Sequence, residues 1–210
     1  MRIVFIFFLF YSSMLFAECN KLYDYGFWNP DVQISEIENE LENFDLNVLC
    51  GEDGKLIPLI PASLLSTKAN VEFLISKGAD VTLASAENIF PESGGTALHA
   101  AVMNPFPEHQ SDIVYTLIMN GADVNAKRKD GRTPFHMVSS ITPETVAHLL
   151  AAGADIFAKD KDGKIPLDYL CEYGKCENRH FSEGSATAEL FKPKEWLYLL
   201  IKIKSNTTLI

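Results

Sequence analysis

The chain has 210 residues, of which 47% are hydrophobic and 22% charged, and its formal net charge is −10 at pH 7. A chain of this length and apolar content can bury a core of its own. Because an acidic protein repels phosphate backbones, the charge argues against nucleic acid as a partner, and no large Lys/Arg cluster favours a membrane surface.

The N-terminus predicts an export signal. Arg2 is followed by an apolar run over residues 3–16 and by Ala17, the order typical of a secretory signal peptide over residues 1–17 that is cleaved near Ala17. The alternative is a membrane anchor, but the run is shorter than the about 20 apolar residues of a spanning helix. We therefore expect a periplasmic or secreted protein without membrane insertion after cleavage.

Export would place the four cysteines in an oxidising compartment, where an even set is typical of disulfides. They are Cys19, Cys50, Cys171 and Cys176. We expect Cys171 to pair with Cys176 and Cys19 with Cys50, although four cysteines allow three pairings. A zinc site that also uses His180 is the alternative, but it lacks the tight C-x-x-C spacing and an evident fourth ligand, so we expect no metal.

The region after the signal predicts one amphipathic helix within residues 34–44. Ser35 and Glu38 have the spacing of a capping box. The apolar stripe of this helix contains Ile34, Ile37, Leu41 and Phe44. No basic residue stands between Lys21 and Lys55, so this end is either a solvated acidic face or a surface that steers a basic partner.

One phrase then occurs three times. Its copies are Gly78-Ala79-Asp80-Val81, Gly121-Ala122-Asp123-Val124 and Gly153-Ala154-Asp155-Ile156. An apolar-periodic stretch precedes each copy, and an Asp-Gly turn with a T-P-L-H-like run follows the last two. Self-similarity at a period of about 33 residues indicates a stacked array of repeats.

The pattern resembles the ankyrin repeat, a β-turn followed by two antiparallel helices. The resemblance implies an all-α solenoid of about four helix-turn-helix units over residues 51–204. It also implies a degenerate N-terminal half-repeat within residues 18–50, a C-terminal capping helix at 193–204 and a flexible tail at 205–210. In the clearest unit, Thr133 and Pro134 should begin a first helix that ends near Ser140.

No residue pattern predicts an enzyme. His99 and His136 stand in the fourth place of the T-P-L-H motif, where the resemblance implies a structural hydrogen-bonding role, and Asp168 replaces them in the last unit. Serine elbows, phosphate-binding glycine loops and distinguishable acid/base pairs are missing from the sequence. We expect no catalytic residue and no cofactor.

The resemblance implies that partners meet the projecting turns and the exposed side of the first helices. The turns beginning at Lys127 and Lys159 form a basic row, which is either a partner site or a set of solvated turn charges. Two insertions in the long middle unit add aromatic residues that should be exposed. The candidate partner-binding residues are Arg128, Lys129, Arg132, Met137, Lys161, Phe90 and Phe106.

We interpret the chain as a non-enzymatic protein-binding module, monomeric alone, that acts outside the cytoplasm. The favoured role is an inhibitor or immunity-type protein that neutralises a periplasmic toxin or lytic enzyme. The alternative is an accessory scaffold or stabiliser of an exported enzyme such as a stress-response catalase. A hydrolytic enzyme built on the insertions is a third hypothesis, which would need turnover that depends on His109 or His180.

Overall fold

The protein is described by a computed structural model that covers residues 27–41, 45–47, 57–85, 94–140 and 142–170. The predicted signal peptide, the four cysteines, Phe90, the predicted capping helix at 193–204 and the tail lie outside the described residues.

The described residues form helices that follow one another in pairs. The helices are α1 (Ile34–Glu40), α2 (Leu59–Leu65), α3 (Lys68–Ser76), α4 (Ala97–Ala101), α5 (Pro107–Met119), a 3-10 helix (Pro134–Ser140), α6 (Pro143–Ala151) and α7 (Pro166–Leu170). No strand occurs among these residues, and Ala84 and Thr96 form an isolated bridge. None of these helices combines the length and apolar character of a membrane span.

The pairs stack into two helical layers. In the first layer α2 packs on α4, α4 on the 3-10 helix, and the 3-10 helix on α7. In the second layer α3 packs on α5 and α5 on α6. A continuous apolar core lies between and within the layers, with Leu74, Leu117 and Leu149 fully buried at equivalent positions.

The repeated phrase is the end of each second helix. Gly78, Gly121 and Gly153 have φ values of 98°, 94° and 89°, in the left-handed region that favours glycine. The alanine after each glycine donates its backbone N–H to a carbonyl of the last helical turn, as from Ala154 to Leu149 O at 3.0 Å.

The predicted first helix from Pro134 to Ser140 is present, but as a 3-10 helix interrupted at Met137 (φ −85°, ψ 19°). The second helix of this unit begins at Pro143. Thr142 caps it by accepting a hydrogen bond from Thr145 N at 3.2 Å.

Two predictions about α1 are wrong. The capping contact involves Gln33 and Glu36, whose carboxylate accepts from Gln33 N at 3.3 Å, because the helix begins at Ile34 and Ser35 is already inside it. Ile34 is 40% exposed, whereas Ile37 is fully buried. Because α1 packs mainly on α3, only part of the predicted stripe is covered.

Candidate functional site

Two turns of the same backbone form lie side by side on one edge of the array. In the first, Arg128 N donates to Arg132 O at 2.9 Å. In the second, Asp160 N donates to Lys164 O at 3.0 Å. We call residues 128–132 and 160–164 the stacked turns.

The stacked turns are in direct backbone contact. Lys161 N donates to Asp130 O at 2.8 Å. Gly131 has φ +85°, and a Cβ there would lie 2.9 Å from Lys161 N and 3.0 Å from Asp160 Cα. Only glycine allows this approach without a shift of the neighbouring backbone.

The arginines of the first turn point inward rather than toward solvent. Arg128 is 8% exposed, and its Nη2 lies 3.5 Å from Asp130 Oδ2. Arg132 is partly buried, with its Nε 3.3 Å from the same carboxylate oxygen. Of the two sequence-based interpretations of the basic row, that of solvated turn charges does not describe Arg128 and describes Arg132 only in part, because both guanidinium groups lie against the partly buried Asp130 carboxylate.

The inward charges continue into the second turn. Arg132 Nε lies 3.8 Å from Asp160 Oδ2 and donates to Tyr169 Oη at 3.0 Å, and its guanidinium stacks 4.2 Å from the Tyr169 ring centroid. The Tyr169 hydroxyl donates to the buried Asp160 carboxylate. Burial and this hydrogen bond raise the pKa of Tyr169 to about 12. Burial alone would raise the pKa of Asp160, but hydrogen bonds from Tyr169 and from backbone N–H groups hold it below its usual value.

Most of the outward-facing charges on and just before these turns are lysines, and Asp162 is the one exposed acid there. Lys127, Lys129, Lys159 and Lys161 are all exposed. The lysine pair of the first turn lies next to the pair of the second turn, as the hydrogen bond from Lys127 Nζ to Lys159 O at 3.5 Å shows. We call these four residues the lysine strip. Lys127 and Lys159 belong to the predicted basic row but were not among the named candidate residues, although their alternation with inward residues is the pattern of extended chain, in which successive side chains face opposite ways.

The predicted apolar contacts are less accessible than expected. Met137 is partly buried and packs against the core. Phe106 is also partly buried, since it immediately precedes α5 and its ring lies 6.3 Å from that of His109. Phe157, which the sequence analysis did not single out, is 63% exposed and lies two residues before the second lysine pair.

The motif histidines tie the turns to the first helices. His99 Nδ1 accepts from Thr96 N at 3.2 Å and its Nε2 contacts Arg132 O at 3.1 Å. His136 repeats this arrangement with Thr133 N at 3.0 Å and Lys164 O at 3.4 Å. Because Nδ1 accepts, Nε2 carries the proton and donates, so both rings are neutral.

The structural role that the resemblance implied for these histidines is confirmed. Burial lowers the pKa of His99 to about 4 and also lowers that of His136. Asp168 reproduces the bond within the unit, because its carboxylate accepts from Ile165 N at 2.8 Å. Among the described residues, no cluster of three or more His, Cys, Asp or Glu side chains could hold a metal ion.

A comparison with protein-family models agrees with this geometry. Residues 98–180 match the family described as ankyrin repeats (3 copies), a span that is less than half of the chain. A comparison with curated proteins finds no match. Residues 98–180 therefore carry ankyrin repeats, and the predicted all-α ankyrin-repeat solenoid is confirmed. Repeats of this kind are protein–protein interaction modules and are generally non-enzymatic.

Proposed function

We propose that the protein binds an acidic surface of a protein partner outside the cytoplasm, and that it acts as an inhibitor or immunity-type protein. The observation that carries the proposal is the lysine strip. Four exposed lysines lie on two adjacent turns of a chain whose formal net charge is −10. A local reversal of sign on a projecting edge supplies the electrostatic complementarity that selects and orients an acidic partner.

The inward-facing charged side chains of the stacked turns stabilise the surface that carries the lysine strip. The Asp130 carboxylate contacts Arg128, and the Asp160 carboxylate contacts Arg132 and Tyr169. The backbone of one turn is also hydrogen-bonded to the backbone of the next. The backbone that carries the lysines is therefore held in place, which reduces the loss of conformational freedom on binding. Lysine acts as a compact point charge, so we expect a strong dependence of the association rate on ionic strength.

The inhibitory role rests on the predicted export signal and on the interaction module. A small exported module without a predicted catalytic group suits stoichiometric binding of a toxin or lytic enzyme. An accessory scaffold of an exported enzyme would use the same surface, and the two roles differ in what binding does to the activity of the partner.

The experiment is affinity capture with residues 18–210 from the envelope extract of the host, without reductant, followed by mass spectrometry. The captured partner is then titrated with the protein. Loss of its activity at an equimolar ratio supports the inhibitory role, whereas unchanged activity with greater heat stability supports the accessory role.

Two double variants with the same change in net charge test the site. Lys129→Glu/Lys161→Glu reverses the strip, and Lys68→Glu/Lys77→Glu reverses two lysines on or beside α3. We expect the first to weaken binding by about tenfold or more and to flatten its salt dependence, and the second to have little effect. Equal losses in both variants would show that net charge, not the lysine strip, governs binding.

A further inference from the structure

A second surface of the array lies on the outer side of the second helices. Tyr115 is 45% exposed and Met119 is 66% exposed, the latter being the most exposed of the large hydrophobic side chains that are described. They stand four residues apart on α5 and therefore on one face. The Tyr115 ring lies 5.0 Å from the ring of His148 on α6, which extends the surface to the neighbouring helix.

The fold does not require apolar residues at these two positions. The repeat register places Glu72 and Ser76 of α3 at the positions of Tyr115 and Met119, and Ala147 and Ala151 at those positions in α6. All of these side chains are exposed. Because one neighbouring helix carries a charged and a polar residue there, the apolar pair of α5 needs an explanation outside folding.

On α5 and α6 the charges around the apolar pair are acidic, whereas the neighbouring α3 carries Lys68 paired with Glu72. Glu108 and Asp112 are exposed on the same stripe of α5, nearer its N-terminus, and Glu144 is exposed at the start of α6. Neither α5 nor α6 contains a lysine or arginine. On α5 the face therefore changes from acidic to apolar over seven residues, or about 10 Å.

We propose that the outer face of α5 and α6 binds a basic amphipathic helix of a protein partner. The apolar side of that helix lies over Tyr115 and Met119, and its lysines or arginines lie over Glu108, Asp112 and Glu144. A second copy of this chain does not fit, because its formal charge is −10 and its own outer face is acidic. An anionic membrane is disfavoured for the same reason. The surface is separate from the lysine strip, so it does not depend on the proposed function.

The direct test uses the full chain and a synthetic amphipathic helix of Leu, Lys and Ala about 18 residues long, or about five turns. Binding is followed by fluorescence anisotropy of the labelled peptide. The control peptide has Glu in place of every Lys. We expect saturable binding of the Lys peptide alone; no binding, or equal binding of both peptides, overturns the proposal.

The matched variant is Tyr115→Glu/Met119→Ser, which copies the residues of α3 and so should fold normally. We expect it to weaken binding of the Lys peptide by about tenfold or more. Lys129→Glu/Lys161→Glu, on the turns, should not weaken it. Equal affinity of the wild type and Tyr115→Glu/Met119→Ser places the peptide elsewhere and overturns the proposal.

Methionine oxidation gives an independent measurement. In the wild type, dilute peroxide should oxidise the exposed Met119 faster than the partly buried Met103 and Met137, and the Lys peptide should protect Met119. Slow oxidation of Met119 without peptide would show that another segment of the chain already covers the face. Concentration-dependent protection without peptide would show a second copy there, and either result overturns the proposal.

Discussion

Neighbouring repeats are tied together in two regions by opposite kinds of chemistry. On the turn edge, the links are histidines and charged groups: His99 and His136 reach the next turn, and Arg132 reaches Asp160 and Tyr169. Where the first helix of a pair leads to the second, the links are neutral amides. The buried amides are Asn70, Asn104 and Gln110, which we call the amide spine.

The amide spine crosses several repeats in the interior. Asn70 Nδ2 donates to Val32 O at 3.3 Å and to Ser66 Oγ at 2.6 Å. Asn104 Nδ2 donates to Ser63 O at 3.1 Å, in the preceding unit. Each amide thus satisfies polar groups that the helix ends would otherwise bury without partners.

Gln110 completes the spine toward the C-terminal side. Its Nε2 donates to Val102 O at 3.1 Å, and its Oε1 accepts from Thr142 N at 2.8 Å and Thr145 Oγ1 at 3.2 Å. The amide spine and the turn edge should differ in how strongly their stability depends on pH. The spine contains no titratable group, whereas the turn edge depends on the protonation of its histidines and carboxylates.

The largest expected effect is the pH dependence of the turn edge. Because the pKa of His99 falls from 6.5 to about 4 on folding, the unfolded chain binds more protons below about pH 6.5. The free energy of unfolding should therefore decrease as the pH is lowered. His99 should contribute a loss of about 2 kcal/mol between pH 7 and pH 5, and of about 3 kcal/mol between pH 7 and pH 4. The measurement is urea unfolding across this range.

His99→Gln is the reference for that experiment, since glutamine does not titrate. The variant should be less stable than the wild type at pH 7, and the difference should shrink by these amounts as the pH falls. A constant difference between the two proteins from pH 7 to 4 would contradict a neutral buried His99.

Removal of the turn cation should have the next largest effect. Arg132→Met leaves the buried Asp160 without its guanidinium and removes the donor to Tyr169. We expect a loss of about 2–3 kcal/mol in the free energy of unfolding, reduced by the partial exposure of Arg132. Lys129→Met on the exposed side should stay within about 0.5 kcal/mol of the wild type; equal losses would mean that the turn has no inward and outward sides.

The sequence predicts the repeats far better than it predicts which side chains are exposed on the turns and on the outer face of α5. The glycines at 78, 121 and 153 and the histidines at 99 and 136 are recognisable because one residue type performs one backbone or hydrogen-bonding task in each unit. The inward orientation of the Arg128 side chain is not recognisable in the sequence, because its burial depends on the neighbouring Asp130 and on the stacked turn of the next unit. Tyr115 was missed for a related reason, since a helical stripe does not by itself show which face a neighbouring repeat covers.

The amide spine should respond to mutation but not to pH. Gln110→Leu leaves Thr142 N and the Thr145 hydroxyl without their buried acceptor, so we expect a loss of about 2 kcal/mol. The loss should be the same at pH 7 and pH 5. Asn120→Ala, which removes one bond to Thr116 O at the exposed end of α5, is the control and should cost less than about 1 kcal/mol. A loss for Gln110→Leu that changes with pH would mean that the two regions are not chemically separate.

The smallest expected effect concerns the loops after the second helices, where neutral links are exposed to solvent. Asn125 Nδ2 donates to Gly153 O at 3.0 Å and its Oδ1 accepts from Asp155 N at 2.7 Å. Asn47 makes the same pair of bonds to Gly78 O and Asp80 N, in the loop after α3. Thr82 stands at the equivalent position in the long middle unit, and within the described part of the chain its hydroxyl bonds to Asp80 of its own loop alone.

Asn125→Ala should therefore cost about 1 kcal/mol and Thr82→Ala clearly less. Hydrogen exchange gives the sharper readout, because the Asp155 amide loses its acceptor in Asn125→Ala whereas no inter-repeat amide loses one in Thr82→Ala. If Asp155 exchanges equally slowly in both variants, the asparagine does not hold the repeats together. In that case the units would be linked by packing, the turn edge and the amide spine alone, and the neutral chemistry would contribute only where it is buried.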